Sequence, residues 1–386
     1  MPWVPMAASW ARRLRALAVA TILQAMPPAR GEDHTDYKYE TYAEENGRIL
    51  IRTHSALLER SLAPWLAFKG TFVYDGISGA TPTGAPPPPG STQVPLAEMK
   101  DIRRAFQLEP AFKWGEQKLM PQFSYSRESD YESSGLALNY LVNLHRRNTT
   151  LNLAAARTFD DVWGGRLHNR KQHKDLAEGL LGLSQVLTPS TLANVTLTIG
   201  TASGYLSDPY KGFRFLRYPD PKALFDDHRP GHRTKQIFSA TVEHFFEPID
   251  ATGEFSYRFY HDSHEIFGHT ATLEWFQKLG SHIVVAPVIR YYRQSAAYFY
   301  YVSFDADPSD TENPNQPRIP NFFSSDYRLS AFESWTYGVT ATVTIRKNLA
   351  LDFAYKRYEM LGLTRQTPAS NYPKANVYTV GLRLLF

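Results

Sequence analysis

The chain has 386 residues, a net charge of +4 from 42 Lys and Arg against 38 Asp and Glu, and no cysteine. The missing cysteine excludes disulfides, thiolate metal sites, a lipidated N-terminal Cys and haem attached through a Cys pair. A near-neutral chain with no basic run interleaved with aromatics lacks the footprint of a nucleic-acid binder. Aromatics reach 14%, with 23 Tyr and 23 Phe, yet the mean hydropathy is −0.39 and no apolar run approaches the roughly 18 residues of a membrane helix. A polar average with many aromatics suits a transmembrane β-barrel, in which only every second strand residue meets lipid.

The N-terminus reads as an export signal. Arg12, Arg13 and Arg15 precede an apolar stretch from Ala16 to Ala25, and the small residues Ala29 and Gly31 stand before Glu32-Asp33. That is the order basic, apolar, small, cleavage. Cleavage is expected after Gly31, with Ala25 as the second choice, which divides the chain into a signal peptide, 1–31, and a barrel, 32–386. The Arg12-Arg13 pair is not taken as a twin-arginine signal, because an outer-membrane barrel crosses the inner membrane unfolded.

Sixteen strand candidates follow, near 35–44, 48–57, 64–75, 102–111, 118–127, 135–144, 149–158, 174–186, 191–201, 235–246, 253–262, 269–278, 282–302, 333–345, 349–359 and 376–386. Side chains alternate between the two faces of a strand. Leu136, Leu138, Tyr140 and Val142 alternate with Ala137, Asn139, Leu141 and Asn143; Val195, Leu197 and Ile199 with Asn194, Thr196 and Thr198; Phe255, Tyr257 and Phe259 with Glu254, Ser256 and Arg258. The cleanest strand, Trp335 to Ile345, sets Trp335, Tyr337, Val339, Ala341, Val343 and Ile345 against four threonines and Gly338. A polar turn at Arg346-Lys347-Asn348 joins it to the next as a hairpin. The last strand presents Tyr378, Val380, Leu382, Leu384 and the terminal Phe386 on one face. Resemblance to outer-membrane barrels makes this the signal that the barrel-assembly machinery reads, which adds that machinery and periplasmic chaperones as expected partners.

Short connections near 58–63, 112–117, 145–148, 187–190, 247–252, 279–281 and 346–348 alternate with long ones near 76–101, 159–173, 202–234 and 303–332. An even strand count puts both termini at the periplasmic end and every long segment outside. The expected fold is therefore all-β: an antiparallel up-and-down transmembrane barrel of about 16 strands. Losing the two weakest strands, 35–44 and 174–186, would leave 14. A soluble sandwich or propeller is the rival, but it needs no export signal or terminal Phe, and no fixed repeat is present.

The expected lumen side carries Arg52, Lys69, Glu243, Glu254, Arg258, Glu274, Asp352, Lys356 and Arg383. Charges of both signs predict weak ion selectivity. Asp75 to Pro95, with Gly76, Gly79, Pro82, Gly84 and Pro86 to Pro89, reads as a stiff extended loop that either lies free or folds over the mouth. Segment 202–234 is rich in Tyr, Arg and Pro and holds Asp226-Asp227-His228 and His232. Segment 303–332 carries Asp305, Asp307, Asp310 and Glu312, an acidic loop suited to divalent cations at a lipopolysaccharide surface or simply to water.

The densest polar constellation is His261-Asp262-Ser263-His264-Glu265, with His269 beyond. His261, Asp262 and His264 are weak metal candidates, because neighbours on a strand point to opposite faces. No cofactor and no metal are expected. A rim hydrolase built on Ser263 with His261, or on Asp262 with His264, has no supporting signature, and no catalytic residue is assigned.

Four stretches resemble a proteobacterial family known only as a domain of unknown function, number 3570. They are Asp75-Gly76-Ile77-Ser78-Gly79-Ala80-Thr81-Pro82, Tyr125-Ser126-Arg127-Glu128-Ser129-Asp130-Tyr131, Phe259-Tyr260-His261-Asp262-Ser263, and Arg290-Tyr291-Tyr292-Arg293-Gln294-Ser295-Ala296-Ala297-Tyr298-Phe299-Tyr300. The resemblance runs from about Asp36 to Phe386 and implies an exported barrel in a Gram-negative outer membrane, with lipid and lipopolysaccharide around it. It implies no activity. The expected function is a porin-like channel for small polar solutes or ions. The alternatives are a closed barrel serving as scaffold or partner anchor, and a rim hydrolase. Nothing in the sequence fixes the oligomeric state.

Overall fold

The computed structural model describes residues 33–386 apart from Asn169, Thr311, Glu312 and Pro314. The expected leader, 1–31, and Glu312 of the acidic loop lie outside the described residues. The first nine strands are β1 (His34–Glu44), β2 (Leu50–Ala63), β3 (Leu66–Pro82), β4 (Leu96–Trp114), β5 (Gln117–Arg127), β6 (Tyr131–Leu144), β7 (Thr149–Val162), β8 (Gln172–Thr188) and β9 (Thr191–Gly204). A two-stranded sheet follows within a loop, β10 (Gly212–Phe213) with β11 (Phe225–Asp226). The wall resumes with β12 (His232–Phe246), β13 (Ala251–Asp262), β14 (Phe267–Leu279), β15 (Ile283–Gln294), β16 (Phe332–Arg346), β17 (Leu349–Gly362) and β18 (Lys374–Leu385). Each wall strand pairs antiparallel with its neighbours, and β1 pairs with β18 from His34↔Leu385 to Glu44↔Ala375. The sheet thus closes on itself and satisfies its own backbone, the condition for crossing hydrocarbon with strands.

Residues paired across an antiparallel ladder share a face. One face of the wall carries exposed large apolar side chains all round: Leu58, Phe72, Leu136, Leu197, Phe255, Val339 and Leu382 among them. Leu136 and Ile199 leave 58% and 65% of their surface uncovered. A belt of that extent on a protein in water would be an aggregation surface; in lipid it is the solvated face. Aromatic rings edge the belt. Trp65 stacks on Phe112 and Trp114 on Tyr140, each at 6.3 Å, near the rim that carries the chain ends, and Tyr291 meets Trp335 at 4.7 Å nearer the opposite rim.

All seven connections at the chain-end rim are short, from 64–65 and 189–190 to 145–148 and 247–250. The far rim carries 45–49, 83–95, 128–130, 163–171, 205–231, 263–266, 295–331 and 363–373. Every long connection therefore lies at one end, as the parity of the strands requires.

Two expectations need correction. The stretch 76–82 continues β3 and 96–101 belongs to β4, so the loop shrinks to 83–95. Gly76 stays in the ladder because both neighbours pair with it, Arg52 of β2 and Ile102 of β4. Gly79 has φ +118, and an added Cβ would run into the Arg48 carbonyl, so only Gly fits that bend. β3 and β4 have 17 and 19 residues, against about 9–11 needed to cross a bilayer, which raises the wall there by on the order of 20 Å. The second correction is 282–302, which leaves the wall at Gln294. Ser295 there turns its hydroxyl to the Glu265 carbonyl and accepts the Phe267 N–H, at 2.9 and 2.8 Å, ending the ladder.

Candidate functional site

The inner face of the wall is polar and charged. Eight of the nine expected lumen residues lie on it: Lys69, Glu243, Glu254, Arg258, Glu274, Asp352, Lys356 and Arg383, each in register with residues that share the non-apolar face. Arg52 does not. It stands opposite Thr41 and on the face of His54 and Leu58, turned outward and exposed. The reason is local: Arg52, Thr53, His54 and Ser55 put polar groups on both sides of β2, so alternation alone does not say which side is in. Ile51 and Leu57 take the inner side. Ile51 is buried with Tyr42, Ile49 and Ile77 near the far rim.

Toward the chain-end rim the inner charges are ordered in rows, most of them half-buried and Glu274 buried. Glu243, Glu254 and Glu274 are in register on β12, β13 and β14, three carboxylates side by side. Strand order places β2 to β4 on the opposite wall, with β5 beside them. There Lys69 lies between Glu59 and Glu109, and Lys113 lies opposite Lys118. Arg383 makes a two-point contact with Asp36 at 3.0 Å, and Thr342 donates to Asp352 at 2.6 Å. One wall is thus acidic and the facing side mixes Lys69, Lys113 and Lys118 with Glu59 and Glu109, in a bore whose strand count suits an aqueous channel.

The far mouth is different. Loops 205–231 and 295–331 fold together over it. Phe213, Phe215, Phe225 and Phe323 form a ring cluster with centroids 4.6–5.3 Å apart, and Phe213 and Phe215 are fully buried. Beneath it Arg328 bonds Asp326 and Asp208, the latter at 2.6 Å, and Arg229 bonds Asp227 at 2.6 Å and Asp326 at 2.9 Å. Burial pushes the Asp326 carboxyl up, but Arg328 and Arg229 override it and hold it well below the usual carboxylate range. Asp227, with burial opposed chiefly by Arg229, is raised instead.

The seal is tied to the wall on several sides. Tyr327 packs with Tyr42, Ile49, Tyr358 and Tyr372, and Lys211 bonds the Pro82 carbonyl. The 83–95 loop lies over the mouth: the Gly212 N–H donates to the Thr83 carbonyl at 2.8 Å, and the Val94 N–H to Ser370 Oγ at 3.2 Å. Asp305 is taken by Arg217 at 2.7 Å, Asp307 accepts from the Ser309 backbone and hydroxyl, and Asp310 accepts from Asn313. Asp305 therefore ties the two loops together, while Asp307 and Asp310 fold their own.

Of these residues the sequence singled out Asp227, Asp305, Asp307 and Asp310, but not their partners or the phenylalanine cluster. The available signal was Phe and Tyr in 210–225 and 298–323 with no strand alternation around them.

The His261 constellation disperses. His261 is outward with Nδ1 on Gln236 at 2.8 Å. Asp262 is inward and buried, held by Arg233 and the Tyr260 hydroxyl while accepting the His264 N–H at 2.9 Å. Ser263 Oγ accepts the Thr234 N–H, and His264 sets its ring edge-on to Phe299. Burial, followed by Arg233, lowers the His264 imidazole to about 4. The group shapes a turn. Tyr378, Val380, Leu382, Leu384 and Phe386 all face outward, and the Phe386 N–H donates to the Asp33 carbonyl at 2.9 Å beside the closing seam.

The profile of the family described as "Protein of unknown function (DUF3570)" matches residues 8–170 and 166–369. The chain belongs to this family. No curated protein matches it. Among solved structures, a bacterial polysaccharide outer membrane secretin shares the fold with a TM-score of 0.50 at 7% identity, over 93% of this chain and 100% of that one. CdiB from Acinetobacter baumannii also gives 0.50 at 8% identity, over 92% of this chain; the match spans 61% of CdiB. At such identities the likeness establishes the barrel of outer-membrane proteins and no more.

Proposed function

We propose that the protein is a narrow channel in the outer membrane of a Gram-negative bacterium, passing small ions or polar solutes by diffusion. The observation that carries this reading is the in-register row Glu243, Glu254 and Glu274 facing the wall of Lys69, Lys113 and Lys118. Glu243 and Glu254 are half-buried and Glu274 is 7% exposed, and a row of carboxylates so placed is costly unless water reaches it. The chain-end rim is periplasmic in this reading. The far rim lies among lipopolysaccharide, where the packed loops keep the mouth small. The N-terminal leader is removed on export, and the outward last strand is what the barrel-assembly machinery receives. No catalytic residue and no cofactor belong to this reading.

The test is single-channel recording of the mature chain with the triple variant E243Q/E254Q/E274Q. Wild type conducts in small steps with weak selectivity, and the triple variant shifts the reversal potential in a salt gradient toward anions. An unchanged reversal potential would remove the acidic row from the path. A closed scaffold is the second reading, favoured by the dry packing of the far-mouth loops.

A further inference from the structure

The far rim holds a second polar group that the channel reading does not use. Asp101 of β4, with Glu128 and Asp130 of the β5–β6 turn, bring carboxylate oxygens within 4.8 Å of one another. The turn is pinned there by backbone bonds. The Ser129 N–H donates to Asp101 Oδ1 at 3.1 Å, the Glu128 N–H to the Tyr131 carbonyl at 2.8 Å, and the Trp163 N–H to the Asp130 carbonyl at 2.9 Å. Independently of the cluster's charge, Glu128 is 5% exposed and its Oε1 is buried with no hydrogen-bond partner. A buried carboxylate oxygen without a donor is an expensive arrangement. The charge of Arg103 acts on Glu128, but its Nη2 is 2.5 Å from Asp75, and its Nε and Nη1 are buried without a hydrogen bond to Glu128.

Three convergent carboxylates, one of them buried and lacking a donor, are the oxygen-only donor set of a hard divalent cation, whose remaining positions water and carbonyl oxygens complete. We propose that Asp101, Glu128 and Asp130 bind calcium at the far rim. The site has a structural consequence. Asp130 also accepts the Tyr210 hydroxyl, and the Arg166 N–H donates to the Pro209 carbonyl at 2.9 Å. A cation held by Asp130 therefore fastens the first turn of the 205–231 plug loop to the wall at β4 and β5.

Terbium provides the probe, because it takes calcium's oxygen ligands and is sensitised by nearby Trp and Tyr; Trp163 and Tyr210 both touch the turn. The mature barrel is refolded in detergent free of lipopolysaccharide, titrated with terbium alone, then competed with calcium. The expected result is a calcium-displaceable signal in wild type that is lost in Glu128→Gln and in Asp101→Asn, with both variants still heat-modifiable barrels. Calcium also raises the unfolding temperature of wild type and leaves that of Glu128→Gln unchanged. Either of two results would overturn the site: no displaceable signal from folded wild type, which assigns Glu128 to Arg103, or an equal signal from wild type and both variants. Should one variant fail to fold, Asp130→Asn replaces it under the same criteria.

Discussion

Arg328 shows how much one side chain carries. It is buried between Asp208 and Asp326, and removing one partner of a buried pair strands the other charge. Arg328→Ala should cost about 3–5 kcal/mol locally, read as faster amide exchange in 205–231 and 295–331 while β1 to β9 stay protected. Equal protection in the variant would mean that the network does not hold the loops. His264 offers a pH test. Its imidazole titrates at about 4 in the fold, against about 6.5 when unfolded. Between those values the unfolded chain binds more protons, so stability rises with pH through that window. The contribution is complete above about 6.5 and lost as pH falls toward 4. His264→Phe, which keeps the ring against Phe299, should flatten the unfolding midpoint across that range, and an unaltered slope would assign the dependence elsewhere. Eight of nine interior residues were legible by alternation; Arg52 was not, because its strand offers no apolar side to count from.

At the scale of elements, all sixteen wall strands were legible and the ends of the longest were not. Period-2 alternation reports lipid on one side, so it fades where β3 and β4 rise past the belt and both faces turn polar around Gly76 and Gly79. The last strand makes its own prediction. Phe386 sits outward at the seam where β18 meets β1. Deleting it should leave synthesis intact and reduce the heat-modifiable barrel recovered from the outer membrane. Undiminished recovery would count against the terminal aromatic as an assembly signal. A loop over the mouth was expected, but how the loops pack there was not legible, for a different reason. Phe213 and Phe323 touch although they lie 110 positions apart in sequence, and contacts between two irregular loops leave no periodic mark in either.

Across the whole molecule, the two halves of the bore differ in solvation. Toward the chain-end rim the bore is lined by an acidic row on one wall and by mixed charges on the other; the far mouth is covered by loops with their own aromatic and ion-paired core. On this reading the barrel is a polar conduit narrowed at its far mouth. Planar-bilayer recording of the folded wild type beside Arg328→Ala tests it most directly. The account predicts small stepwise conductance in wild type and several-fold larger steps in the variant. Silence from both, with each shown to be a folded barrel, would contradict it and make the protein a closed scaffold.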